Sequence, residues 1–317
     1  MPLAKVVLWS VLNASERRVR AGVRLLAQAA VLLLLIGLLG WLFQAAEALS
    51  RVALPASAAA WLDSFQASLS VQWLRFAGCW CLCVTLSVWI ARRLFDRRSF
   101  ASLGLDWRKV SGRDLWLGVL IGGLVQSVLF GVELAAGWLR VEGLGFSLRS
   151  PGTFVWPAAV MCLVFAMVGW YEELLARGYW LTNLSEGHNR PLAVLLSSSA
   201  FALGHVGNPN VTWVAIVALL GPGLLFAWTV LRTGRLWLAI GLHFGWNLFE
   251  GVVFGFPVSG IATARLIRCS VHGPAVFTGG AFGPEAGLVV VPALLAGALA
   301  IGLFTRRRAP LAERDGD

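Results

Sequence analysis

Apolar stretches of about twenty residues alternate with short polar ones, and the alternation repeats eight times along the chain. At ~1.5 Å rise per residue, twenty residues of helix cross the ~30 Å hydrocarbon core of a bilayer. The pattern therefore predicts spans over about 25–45, 71–91, 115–139, 154–185, 191–206, 212–231, 236–256 and 286–304. The stretch from Met1 to Gly22 is mildly amphipathic and carries Arg17, Arg18 and Arg20, which predicts an interfacial helix. A loop through Pro55 and Asp63 joins the first two spans, and Gly221-Pro222-Gly223 predicts a kink in the sixth. Glycine-rich loops precede the fourth and eighth spans, and the polar end from Arg306 to Asp317 is expected to be disordered. The expected fold is an all-α polytopic transmembrane helix bundle. It divides into a basic N-terminal segment (1–24), three spans with their loops (25–152), a five-span core (153–305) and a polar tail (306–317).

Composition agrees with that pattern. Only 13% of residues are charged and 58% are hydrophobic, against about 25% charged in soluble domains. The 26 basic residues are nearly all arginine and gather at the ends of the apolar runs. Counted outside the spans, nineteen fall on the side of the N-terminus and five on the other, which places both termini in the cytoplasm. In a soluble chain a net charge of +10 would suggest nucleic acid. Here no long basic stretch is interleaved with aromatics, so the charge reads as orientation and contact with anionic lipid. Cys79, Cys81 and Cys83 alternate along one apolar run and point to different helix faces, which is poor metal-ligand spacing, and no disulfide framework is implied. The first apolar run is too long for a cleavable signal peptide, and more spans follow it.

Three polar clusters interrupt the apolar core, and they carry the candidate chemistry. The first is Glu172, Glu173 and Arg177 on the fourth span; the second is His205 on the fifth; the third is His243 and Asn247 on the seventh. Charge at membrane depth costs several kcal/mol and usually marks function. Glu173 and Arg177 are four apart and can pair on one helix face, while Glu172 is turned away by about 100°. Glu172 and His205 each lie roughly 22–26 Å along their helices from the turn at Gly187-His188, so an antiparallel hairpin could set them face to face. A carboxylate beside an imidazole can hold and deprotonate a water. A histidine and an asparagine one turn apart can donate to a developing oxyanion. Glu172, His205 and His243 would also make the His₂Glu set of a catalytic zinc. A metal-free site is favoured for two reasons. Asn247 beside His243 suits a pair of oxyanion donors, and no carboxylate lies one turn from either histidine to orient it as a ligand. Taken singly, each cluster could be structural: a buried ion pair, a hydrogen-bonded core histidine, or polar contacts between helices.

Glu172-Glu173-x-x-x-Arg177, Phe201-x-x-x-His205 and His243-x-x-x-Asn247, in this order on successive spans, resemble the CPBP family of intramembrane proteases. That family includes the CAAX prenyl endopeptidases and the bacterial Abi-type proteins. Leu103-Gly104-Leu105, the stretch from Gly255 to Gly260 and the stretch from Gly280 to Glu285 also resemble bacterial members. The resemblance implies that Glu172 and His205 activate a water, that His243 and Asn247 form an oxyanion hole, and that Glu173 and Arg177 support them. It implies a membrane protein or peptide as substrate, prenylated or not, an integral protein of a bacterial plasma membrane, and no nucleic-acid partner. Two other functions stay open at this point: a non-catalytic scaffold or immunity-type protein of the same family, and a proton-coupled transporter.

Overall fold

The computed structural model describes residues 12–13, 18–107, 111–146 and 152–306. It is nearly all helical and falls into two compact units, one up to Phe100 and one from Ala101 onward. Among the described residues five helices are long and apolar enough to cross a membrane: Ala21–Ala53, Leu69–Leu94, Ser111–Ala135, Gly152–Gly187 and Trp213–Thr233. The chain is an integral membrane protein with the architecture of a polytopic helical bundle.

In the first unit, β1 (Leu12–Asn13) and β2 (Arg18–Val19) pair antiparallel, where the sequence suggests an interfacial helix; the rest of that segment lies outside the described residues. The unit continues with α1 (Ala21–Ala53), α2 (Ala56–Ala67) and α3 (Leu69–Leu94). Helix α2 occupies what the polar residues around Asp63 suggest is a loop. Of the 33 residues of α1 only Arg24, Gln28 and Leu32 are buried, one turn apart from each other. Their stripe faces α3, where Gln28 donates to Ser87 Oγ at 3.0 Å. Asp96 receives Arg24 at 2.9 Å and Arg92 at 2.8 Å. The remaining face of α1 is leucine-rich and exposed, as a lipid-facing helix should be.

The second unit contains α4 (Ser111–Ala135), β3 (Leu139–Leu144) and α5 (Gly152–Glu173), which runs through a π-helical stretch (Leu174–Trp180) into α6 (Leu181–Gly187). Then come α7 (Arg190–Leu203), α8 (Trp213–Ala218), α9 (Leu220–Thr233) and α10 (Trp237–Asn247), the last continued by a second π-helical stretch (Leu248–Val253). Strand β4 (Ile267–Val271), α11 (Ala275–Thr278) and α12 (Val290–Thr305) complete the described chain. Strands β3 and β4 pair antiparallel, Leu139 with Val271 through Leu144 with Ile267, in regions whose glycines suggest open loops. Two expected spans are altered. The fifth ends at Leu203, so His205 sits in the turn beyond the helix. The sixth breaks at Leu219, just before the expected Gly-Pro-Gly kink, which leaves Pro222 near the start of α9 where a missing N–H is tolerated.

Helix α10 is the centre of this unit and packs against both α4 and α5. Gly118 and Gly122 of α4 meet Gly241 and Gly245 of α10 in a reciprocal contact. A Cβ on Gly122 would lie 2.5 Å from Trp246 N, one on Gly118 would run into Leu238 O, and those on Gly241 and Gly245 would run into Leu115 O and Val119 O. Each helix thus carries a small-xxx-small pair that lets backbone touch backbone. On the other side Gly169 of α5 sits against α10, with room for a Cβ only 3.1 Å from Phe244 N. Val125, Leu129, Phe226, Leu242, Trp246, Ala293 and Ile301 form the apolar core around this junction.

Two outcomes test this architecture. Gly245→Ala should destabilise the protein in detergent by about 1–3 kcal/mol through overpacking. Gly131→Ala, on the same α4 but with open space at its Cβ, should be neutral. Separately, single cysteines placed at the exposed Ala101 and Ala136, in a cysteine-free background, should react with an impermeant reagent from opposite sides of the membrane. Reaction of both from one side would contradict the orientation read from the arginines.

Candidate active site

The site forms where α5, α7, α9 and α10 meet. Glu172 and Glu173 are the last residues of α5, and the chain then widens into the π-helical stretch that carries Arg177. Such widened turns recur at functional sites because they re-aim side chains without ending the helix. Glu173 and Arg177 are both buried and pair at 3.0 Å between Glu173 Oε1 and Arg177 Nη1. The guanidinium also donates to Gly223 O of α9 at 3.0 Å. Its face lies over the rings of Phe201 and Phe226, at 4.2 and 5.3 Å from their centroids. A buried cation is thereby given a carboxylate, a carbonyl and two aromatic faces, which offsets its loss of water.

Glu173 Oε1 accepts a second hydrogen bond, from His243 Nδ1 at 2.9 Å. This contact crosses from α5 to α10 and makes Arg177, Glu173 and His243 one chain of charge-assisted bonds. With Nδ1–H given to Glu173, Nε2 is the nitrogen left to act. It lies 3.9 Å from Glu172 Oε2, too long for a hydrogen bond and short enough for both atoms to contact one shared oxygen. Glu172 Oε2 is buried and has no hydrogen-bond partner among the described residues, while the side chain as a whole is 21% exposed. Glu172 is therefore the carboxylate left over, as the helical spacing suggests, and it faces a histidine across the bundle.

The ring of His243 packs on Phe226 at 5.0 Å and near Phe201 at 6.0 Å between centroids. Phe201 also touches His205, ring to ring at 5.0 Å, and its carbonyl takes His205 Nδ1 at 2.9 Å. That bond leaves His205 Nε2 as the free nitrogen. The structure thus gathers Glu172, Glu173, Arg177 and His243 directly and brings His205 to the same aromatic wall. It does not join His205 to Glu172: among the described residues no ion pair or hydrogen bond links them. Helix α7 stops at Leu203, so His205 is carried by the turn that follows and not by the helix expected from the sequence. Asn247 closes α10 one turn beyond His243 and is buried.

The expectation about histidine orientation is corrected. No carboxylate lies one turn from His243 in the sequence, yet Glu173 reaches its Nδ1 from another helix. Among the described residues no three His, Cys, Asp or Glu side chains form a group that could hold a metal ion.

A second set of polar contacts flanks Asn247 on α10 and its continuation; of its members only Glu285 lies in a stretch singled out in the sequence. Gln126 Nε2 of α4 donates to Glu250 Oε2 at 3.1 Å, and Trp246 Nε1 donates to Glu285 Oε2 at 3.2 Å. A glutamine and a glutamate inside otherwise apolar runs were the available signal, three residues beyond Asn247 in the case of Glu250.

Residues 154–249 match the family model for type II CAAX prenyl endopeptidase, Rce1-like. Over that segment the chain is similar to the CAAX-type proteases, which supports the resemblance read from the motifs. All six candidate residues, from Glu172 to Asn247, fall inside the matched stretch. No curated protein and no solved structure matches the chain. A membrane-embedded protease of this type takes a membrane protein or peptide as its substrate.

The geometry separates the two adjacent carboxylates by stability. Glu173→Gln should strand Arg177 inside the bundle and lower stability by about 3–5 kcal/mol, the usual cost of removing one partner of a buried ion pair. Glu172→Gln, which breaks no hydrogen bond, should melt close to the wild type in detergent. The reverse order of melting temperatures would contradict the assignment.

Proposed function

We propose that the protein is an intramembrane endopeptidase that cleaves membrane-associated proteins or peptides by direct attack of a water. The observation that carries this reading is the unpartnered Glu172 oxygen facing His243 Nε2, with the ring's other nitrogen locked by Glu173 and Arg177. Glu172, with His205, takes the proton from the attacking water. His205 serves through Nε2, since its Nδ1–H is held by the Phe201 carbonyl. His243, carrying both ring protons between the two carboxylates, donates from Nε2 to the developing oxyanion, and the Asn247 amide is the second donor. Glu173 fixes the angle of the His243 ring and holds its Nδ1–H, and Arg177 balances the charge of Glu173. The aromatic wall of Phe201 and Phe226 keeps bulk water away, which strengthens every one of these contacts. No metal takes part in this scheme.

The test is purified full-length protein against a panel of membrane-derived and prenylated peptides, analysed by mass for cleavage. Glu172→Gln should abolish turnover. Asn247→Ala should lower kcat by about 10²–10³, the usual cost of one oxyanion donor. Activity should survive dialysis against a strong chelator; loss on chelation with recovery on zinc alone would contradict the metal-free scheme. A wild type that folds, carries all six residues and cleaves nothing would favour the scaffold or immunity-type role.

A further inference from the structure

Two stretches noted in the sequence, Gly255 to Gly260 and Gly280 to Glu285, lie outside the matched segment and take no part in the chemistry above. In the fold they meet at one carboxylate. Glu285 is buried and accepts on both oxygens. Oε2 takes Trp246 Nε1 at 3.2 Å, and Oε1 takes the backbone N–H of Ser259 at 2.9 Å and its hydroxyl at 2.5 Å. Trp246 is the residue before Asn247. Ser259 O in turn accepts Asn208 Nδ2 at 3.1 Å, and Asn208 N donates to His205 O at 3.0 Å.

The surrounding backbone is shaped to bring these loops together. Gly260 donates to Phe282 O at 2.6 Å, and a Cβ on it would run into Pro209 O in the loop that follows His205. A Cβ on Gly283 would run into Pro257 O. Both glycines have φ of +84° or more, a region closed to most side chains. Ser259 itself has φ +48°, a conformation that costs a non-glycine residue energy and persists only when its surroundings hold it. Glu285 supplies that hold, since it takes both donors of Ser259.

We infer that Glu285 is a positioning residue that sets the distance between the His205 turn and the end of α10 that bears Asn247. The inference rests on the reading of those two residues as parts of one site. One arm runs Glu285–Trp246–Asn247, the other Glu285–Ser259–Asn208–His205. Neither arm touches a reacting atom. One fixes Trp246, the residue before Asn247, and the other reaches the backbone carbonyl of His205 through Asn208; small displacements of reacting groups are costly in rate.

The experiment uses the full chain in detergent with two variants. In Glu285→Gln one oxygen becomes an NH₂ that must face a donor, so one arm is lost with little change of shape. Ser259→Ala is milder, losing only the hydroxyl bond, and stands in if the first variant does not fold. Hydrogen exchange should rise about tenfold in the segments 206–212 and 257–262 and stay within about twofold in 190–203 and 220–233. On a cleavable peptide, kcat should fall about tenfold to 10²-fold with KM within about twofold. Unchanged exchange in 206–212 would overturn the coupling of the arms. A uniform rise throughout the chain, or a loss confined to KM, would overturn a positioning role. The expected local exchange in a protein that cleaves nothing would support the brace and overturn the peptidase reading.

Discussion

Direct backbone contact between α4 and α10 is the constraint on which the site depends. Apolar side chains gain little by leaving lipid for a helix interface, so helices in a bilayer associate through close packing and polar contacts. The four glycines Gly118, Gly122, Gly241 and Gly245 remove the side chains that would hold these helices apart. At 100° per residue, His243 lies about 200° around α10 from both Gly241 and Gly245, and Asn247 about 200° from Gly245. Pressing the glycine face onto α4 therefore turns both polar side chains the opposite way, toward α5 and α9. Gly169 of α5 then closes on α10 and brings Glu173 within reach of His243.

Charge is tolerated in this junction because it is distributed along a chain of partners. Arg177 alone would carry a large desolvation cost, and so would Glu173. Together with His243, the Gly223 carbonyl and two aromatic faces they form a network that partners most of their polar atoms, with Glu173 Oε2 and Arg177 Nε left over. Glu172 Oε2 keeps its lone pairs available, as do one oxygen each of Glu173 and Glu250 and both of Glu133; what distinguishes Glu172 is that its free oxygen faces His243 Nε2 at 3.9 Å. Glu285 and Glu250 anchor the same helix end from Ser259 and Gln126, so the candidate site and this polar cluster share the residues from Trp246 to Glu250.

Much of this was legible in the sequence, for physical reasons that differ by element. Runs of twenty apolar residues can do little in water, so the helical membrane architecture follows from hydropathy alone. The Glu173–Arg177 pair follows from helical spacing, and so does the freedom of Glu172. The contact of Glu173 with His243 does not, because it joins residues 70 apart through packing that no local pattern encodes. The position of His205 was misjudged for a related reason: hydrophobicity continues through Val206, but the hydrogen-bonded helix stops at Leu203. Hydropathy reports burial and not backbone geometry. Strands β3 and β4 were hidden by the glycines around them. The paired glycines of α4 and α10 were visible as two small-xxx-small spacings, and their partnership was not. The family resemblance rests on the ordered set of motifs, which the match over residues 154–249 covers in full.

The central claim is that a water, and no protein atom, attacks the scissile carbonyl inside the bundle. A single turnover of full-length protein in H₂¹⁸O tests it most directly. The account predicts one ¹⁸O in the new carboxylate of the cleaved peptide and none in the protein. Incorporation of ¹⁸O into Glu172 would mean that its carboxylate had formed a covalent acyl intermediate, and would contradict the account.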